Sequence, residues 1–279
     1  MRLADFFLFI QERYNIYVRK TNGEDKPWSK DPIFQSYRFC NVHRENDTVT
    51  KWIRSNITEK HKGDPDLWFN IVIARLLNEP DSIKAVGYVK EWDFTKFIQA
   101  LELRASVGAR IFNPAYIVST NGVAMDKPTY IAARVLTPLW AQRLNLRPQK
   151  GELLGSYAMR LIQCMGLGSF LTGQVVADLK AVPPLETADD WWTFVVSGPG
   201  SKRGLNRVYK LDPHKAMNET TFRNMLADLH GVLDNILATK NTSIPKLDAQ
   251  NLQNCLCEFD KYERVRLGEG RPKQLYPGV

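Results

Sequence analysis

The sequence predicts a mostly α-helical protein, and three observations carry that prediction. Apolar residues recur at steps of three and four in stretches over 65–78, 127–145, 152–165, 219–238 and 248–260, the period of a helix that buries one face. Asp64-Pro65 stands immediately before the first of these, and an acidic cap followed by proline suits a helix start. Gly166-Leu167-Gly168 separates two apolar helical patterns, as a tight turn between helices would.

In chain order, Met1 to Ile10 mixes Arg2 and Asp5 with apolar residues and runs into Gln11-Glu12-Arg13. It reads as an amphipathic first helix and not as a signal peptide. Asn22-Gly23, Pro27 and Pro32 mark a loop over 20–34, and a helix is expected from Tyr37-Arg38-Phe39 to about Asn56. Leu67, Trp68, Phe69, Ile71, Val72, Ile73, Leu76 and Leu77 make the next helix apolar on nearly every side, so it belongs in the core, and Glu79-Pro80 ends it. A helix over 93–106 precedes an irregular piece over 111–124 with a turn at Asn121-Gly122. The helix over 127–145 should kink near Pro138. After the Gly-x-Gly turn, Phe170, Val175, Val176 and Leu179 form a further helical stripe. Residues 183–216 are rich in Pro and Gly and read as loop, followed by two well-marked helices and a basic tail after Tyr262. One helical domain over 1–279 is expected, with enough chain for two lobes and a cleft between them.

Composition narrows the function. Lys and Arg outnumber Asp and Glu by 38 to 30, a net charge of +8, which favours a polyanionic partner. Cys40, Cys164, Cys255 and Cys257 fit neither a disulfide framework nor a zinc or iron–sulfur spacing, so no metal is expected and the thiols read as reduced, buried side chains. No apolar run reaches the length of a membrane span. No cofactor is indicated.

Four groups of residues could carry chemistry. Gly166, Gly168 and Ser169 can offer backbone N–H groups to a DNA phosphate, or simply turn a packing corner. Ser197 to Arg207 has no Gly-Lys-Ser/Thr order, so it is not a nucleotide phosphate loop. Read as a loop, its Gly198, Gly200 and Ser201 allow a nest of backbone donors, and Lys202, Arg203 and Arg207 supply charge for a pyrophosphate. A plain solvated loop is the alternative, although Trp191, Trp192 and Phe194 beside it offer anchoring or stacking surface. Arg38, Asn41, Glu45 and Thr48 would share one face of the expected 37–56 helix, with Arg44 near it, suited to a cleft wall or to solvent. His43 reads as a surface residue. Gln250, Asn254, Glu258 and Lys261 line one side of the last helix, either as a pocket wall or facing water.

Three segments carry a resemblance: Tyr37-Arg38-Phe39-Cys40-Asn41-Val42-His43-Arg44-Glu45-Asn46-Asp47, Gly198-Pro199-Gly200-Ser201-Lys202-Arg203-Gly204, and Gln253-Asn254-Cys255-Leu256-Cys257-Glu258-Phe259-Asp260-Lys261-Tyr262. Together they resemble the phage-centred group related to the helical domain of 5-hydroxymethyluracil DNA kinases. That group includes the alpha-glutamyl/putrescinyl thymine pyrophosphorylases, also called amino acid:DNA transferases. The resemblance implies a fold like that of helix–hairpin–helix DNA glycosylases, with Gly166-Leu167-Gly168 as the hairpin and Asp189 or Asp190 where a glycosylase carries its catalytic Asp. Cys164-Met165 departs from the Leu-Pro pair that usually opens such a hairpin.

The function implied is transfer of an amino acid or polyamine onto thymidine in double-stranded DNA, with loss of the pyrophosphate of 5-pyrophosphoryloxymethyluracil, in the cytoplasm of an infected host. The base would leave the duplex to react. Asp189, Asp190, Glu45 and Glu258 are the candidate acid or base residues, and the sequence does not choose among them. Arg38, Asn41, Arg44, Asn254 and Lys261 are candidates for the amine or base pocket. An N-glycosylase and a non-catalytic reader of modified DNA are the rival readings, and kinase activity is a distant fourth.

Overall fold

The computed structural model describes residues 1–113, 119–120, 122–240, 242–271 and 275. They are largely helical, and beyond an isolated antiparallel bridge between Tyr37 and Leu275 they include no strand pairing. Asn121 of the expected Asn-Gly turn lies outside the described residues. The chain divides into two compact units, one made of Met1–Asp47 with Trp192–Val279 and the other of Thr48–Trp191.

The first unit holds α1 (Leu3–Thr21) and α2 (Pro32–Ser36) from the early part of the chain. The second is built from α3 (Thr48–Ile53), α4 (Leu67–Leu77), α5 (Pro80–Val86), α6 (Phe94–Ser106), α7 (Lys127–Tyr130), α8 (Thr137–Ala141), α9 (Arg143–Leu146), α10 (Leu154–Ile162) and α11 (Ser169–Leu179). The chain then returns to the first unit with α12 (Pro199–Val208), α13 (Glu219–Thr239) and α14 (Ala249–Arg266).

In the second unit, every residue of α4 is buried, as its all-round apolar composition requires. The helix starts at Leu67, later than the Asp64 cap suggests, because Asp64 instead accepts the backbone N–H of Asp66 in the preceding turn. Asn78 closes it in the left-handed region at φ 47°, and Pro80 opens α5. α4 carries two buried polar residues: Asn70, which pairs with the backbone of Val89, and Arg75, whose guanidinium donates to both oxygens of Asp178 on α11 at 2.6 and 2.7 Å and to Thr50 Oγ1 at 3.0 Å. The expected helix over 127–145 is broken into α7, a π turn over 131–136, α8 and α9. Pro138 has no N–H to continue an α ladder, and the wide turn before it, with Thr137 Oγ1 donating to Ala132 O at 2.8 Å, carries the chain past. Gly166 sits at φ +83°, where a Cβ would lie 2.5 Å from a Val135 methyl, so turn and packing both demand glycine. Gly168 is under neither constraint: its φ is −64° and open space surrounds its Cβ position.

The first unit is organised by α14. Phe259 meets Phe6 and Phe9 of α1 at centroid separations of 5.2 and 5.3 Å, and Tyr262 stacks on Phe34 of α2 at 5.2 Å. Asn218 and Asp248 cap α13 and α14 with their side chains. The stretch 183–216, expected as loop, contains α12, with Pro199 in its first turn. Its glycines let it lie directly on α14: a Cβ on Gly200 would stand 2.6 Å from Cys257 Sγ, and one on Gly204 would stand 2.0 Å from Leu256 O. The basic tail expected after Tyr262 begins as helix, since α14 runs on to Arg266.

Candidate functional site

The helix expected over 37–56 does not form as one element. Residues 38–43 are non-helical, Arg44–Asn46 make a single 3-10 turn, and helix begins only at Thr48. The face proposed for Arg38, Asn41, Glu45 and Thr48 therefore does not exist as a helix face. The cause lies elsewhere in the chain, where side chains take the backbone groups a helix would pair. Cys40 N–H donates to Glu258 Oε2 at 3.1 Å, Asn41 N–H to Asp47 Oδ1 at 3.0 Å, and Arg44 N–H to Asn251 Oδ1 at 2.9 Å. The Cys40 carbonyl accepts from Arg13 Nε at 3.1 Å, and the Asn41 carbonyl accepts from Arg13 Nη2 at 3.0 Å and Asn254 Nδ2 at 3.3 Å.

These bonds bring the first and last motifs together within the first unit. Asn251, Asn254, Glu258 and Lys261 project from α14 onto the 38–45 segment. Asn251 bridges it, accepting from Arg44 N–H while its Nδ2 donates to Glu45 Oε2 at 3.1 Å. Lys261 Nζ lies 3.1 Å from Glu258 Oε2, donates to the Arg38 carbonyl, and stands 4.6 Å from the centre of the Phe39 ring. The side-chain amide of Asn41 has no hydrogen-bond partner among the described residues and is partly exposed. Arg38 is exposed. His43, expected at the surface, is half-buried against Tyr14, with Nε2 3.4 Å from Lys246 O.

Gln250, grouped with this face in the sequence, is instead buried, at 2% exposure. Burial pushes the Asp47 carboxyl up, partly offset by the Asn41 N–H and the nearby Arg44. Burial likewise raises the Cys255 thiol, and pushes Cys257 up to about 11, so both are protonated at neutral pH. Among the described residues no cluster of His, Cys, Asp and Glu could hold a metal ion.

The second candidate group changes character in the structure. Gly198 to Arg207 is not a loop nest but the N-cap and body of α12, with Gly198 N–H donating to Ser201 Oγ at 3.0 Å. Lys202 Nζ lies 3.8 Å from Glu219. Arg203 and Arg207 turn toward α14, where their Nε atoms donate to Asp260 Oδ2 and Oδ1 at 2.9 and 3.0 Å.

The remaining candidates belong to the second unit. Asp190 accepts the N–H groups of Leu154 and Gly155, both at 2.8 Å, at the N-terminus of α10, while Asp189 is exposed. Gly166, Gly168 and Ser169 form the corner between α10 and α11, steadied by Thr172 Oγ1 donating to Leu167 O at 3.0 Å. Sequence reasoning missed Arg13, Asp47, Asn251, Asp260 and Arg264. Asn251 was within reach, because it lies three residues before Asn254 on the same helix. Arg13 gave no local sign, since its partners are 27 and 28 residues away.

The sequence profile described as "5-hmdU DNA kinase, helical domain" matches residues 1–271. The chain belongs to this family. A relative within reach of alignment is the 5-hmdU DNA kinase of Bacillus phage SP10, 25% identical over a 287-residue alignment that takes in 92% of this chain and 44% of that protein. The chain thus spans less than half the length of the curated relative it matches. No solved structure matches. All three motifs, and both parts of the polar cluster on α14, fall inside the span that defines the family.

Proposed function

We propose that this chain works in phage thymidine hypermodification, as the transferase that exchanges the pyrophosphate of 5-pyrophosphoryloxymethyluracil in DNA for an amine from an amino acid or polyamine. The relative's name places that protein on 5-hmdU in DNA. Residues 1–271 match the helical domain, and the sequence contains no Gly-Lys-Ser/Thr phosphate loop, so these residues suit a partner reaction better than the phosphorylation itself. The observation that carries the reading is the convergence on α14, which sets two carboxylates, a cation and an unpaired amide around one segment.

The chemistry assigns roles. An amine arrives as an ammonium ion and must lose a proton before its lone pair attacks the exocyclic methylene. The C–N bond forms as the C–O bond breaks, and the electron pair leaves with pyrophosphate. Glu45, with one oxygen held by Asn251, takes the proton. Glu258, fixed by Cys40 N–H and Lys261, orients the segment. Asn41, Asn254 and Arg38 hold the amine or the extruded base, while Arg44, expected in this pocket, is buried at 5% exposure and supports the segment from within. Lys202 and Arg203 on α12 face the pyrophosphate, where cations offset the developing charge, while Ser201 is fully buried and holds the N-terminus of the helix through Gly198. The open backbone at Gly168-Ser169 grips a DNA phosphate. Among the described residues no helix is long and apolar enough to cross a membrane, and the reaction belongs in the cytoplasm of the infected host, where the DNA is.

The test is nucleoside mass spectrometry of duplex DNA carrying 5-pyrophosphoryloxymethyluracil after incubation with the protein, putrescine and a mixture of amino acids. An aminated thymidine should appear as the pyrophosphorylated one disappears, and Glu45→Gln should slow this by about 10²-fold or more, as loss of a general base does. Abasic sites in place of the product would make the chain a glycosylase. Tight binding with neither product would make it a reader of modified DNA.

A further inference from the structure

Asp260 is 1% exposed, on the α12 side of α14. A buried carboxylate needs donors, and two suffice here: Arg207 Nε serves Oδ1 and Arg203 Nε serves Oδ2. A third arginine, Arg264, nevertheless brings its Nε to 3.4 Å from that same Oδ2, and this nitrogen is buried without a hydrogen bond among the described residues. The Arg207 side chain is 4% exposed, and its terminal nitrogens are taken up by Glu269 in the turn after α14. The terminal nitrogens of Arg203 and Arg264 have no hydrogen-bond partner among the described residues, and these side chains are 28% and 36% exposed. Three guanidiniums against Asp260 and Glu269 leave one net positive charge at this spot.

We infer that Arg203 and Arg264, braced from below by Asp260 and Arg207, form a phosphate-binding site on the α12–α14 face of the first unit. The planar fork of arginine matches a phosphate with two parallel hydrogen bonds, and two forks set against one carboxylate oxygen, Arg203 by a hydrogen bond and Arg264 by an ion pair at 3.4 Å, stand close together before any ligand arrives. Anchoring also restricts two long side chains in advance, which lowers the cost of ordering them on binding. Glu269, 41% exposed, is the anion already present, and it occupies the arginine that faces inward. The ligand is a pyrophosphate or a DNA phosphodiester. The choice between them rests on the proposed transferase reading, whereas the site needs only a phosphate.

The test measures binding, not transfer. Sodium pyrophosphate is titrated calorimetrically into the full chain, and an unmodified fluorescent DNA duplex is followed by anisotropy. The double variant R203Q/R264Q should weaken at least one probe by about tenfold or more, the scale of losing charge-assisted hydrogen bonds. The double variant R223Q/K96Q removes the same charge elsewhere and should bind as wild type does. Weakening confined to pyrophosphate identifies the leaving group as the ligand, and weakening confined to DNA identifies the backbone. Equal affinity of R203Q/R264Q and wild type for both probes, or no binding of either probe by wild type, overturns the inference. Wild-type chain modified with phenylglyoxal gives a readout that needs no variant: bound probe should slow modification of Arg203 and Arg264, and unchanged rates overturn the site. A chain that binds phosphate here yet makes no aminated nucleoside loses only the transferase reading.

Discussion

Gly204→Ala puts the seam between α12 and α14 to a quantitative test. The added Cβ would stand 2.0 Å from Leu256 O, 2.7 Å from its carbonyl carbon and 3.1 Å from its Cα. Ordinary contact begins near 3.4 Å, so the helices must separate locally by about 1.4 Å. The obstacle is backbone, which cannot rotate aside as a side chain can, so the upper end of the usual overpacking cost applies, about 3 kcal/mol. Alanine returns about 1 kcal/mol of helix propensity, leaving a net loss of about 2 kcal/mol. At a urea dependence of about 2 kcal/mol per molar, the unfolding midpoint of the first unit should fall by about 1 M. The assay is urea unfolding followed by far-UV circular dichroism, with hydrogen exchange of the α12 and α14 peptides to locate the change. Gly231→Ala is the paired control. Gly231 lies exposed inside α13 with nothing within 4 Å of its Cβ position, so there alanine should stabilise by up to about 1 kcal/mol. If Gly204→Ala is as harmless as Gly231→Ala, the residues do not form a glycine-mediated seam and a loop over 198–207 returns as the better description.

Asp190→Ala removes the acceptor for Leu154 and Gly155 N–H and should lower thermal stability by about 1 kcal/mol, as loss of a helix cap does. Asp178→Ala strands the buried Arg75 guanidinium and should cost about 3–5 kcal/mol in the second unit, seen as a lower denaturant midpoint. Glu263 is subject to burial, which raises its carboxyl, but hydrogen bonds from Arg266 and Arg2 outweigh it and hold the group below its ordinary 4.5. A lowered folded-state value stabilises above the unfolded one and fades as pH falls through it. The stability gap between wild type and Glu263→Gln should therefore be full at neutral pH and shrink once the pH drops below about 4.5.

What the sequence made legible was whatever depends on neighbours along the chain. The stripes Phe222, Leu226, Leu229 and Leu233 on α13, and Leu252, Leu256 and Phe259 on α14, are buried as their spacing predicts. The polar row Asn254, Glu258 and Lys261, visible as one side of the last helix, contacts the first motif, and that contact is not written in the spacing of either segment. The segment around Asn41 escaped because its conformation is decided by Arg13, Asn251 and Glu258, none of which is local to it. α12 escaped because Pro199, Gly200 and Gly204 were read as breakers. Proline in a first turn and glycines four apart equally describe a helix with one bare side, and only the partner surface on α14 decides between the two. Arg203 and Arg207 then face a carboxylate because their helical register turns them that way.

The split of the first unit into Met1–Asp47 and Trp192–Val279 sets an order on synthesis. Phe6 and Phe9 on α1 pack against Phe259, which the ribosome adds roughly 250 residues later. At about 5–20 residues per second this is an interval of ten seconds or more. During it the whole of Thr48–Trp191 is made and is free to fold, while the apolar side of α1 waits for its partner. Early misassociation of the nascent chain should therefore centre on residues 6–10, and a segment supplying α14 in trans should suppress it.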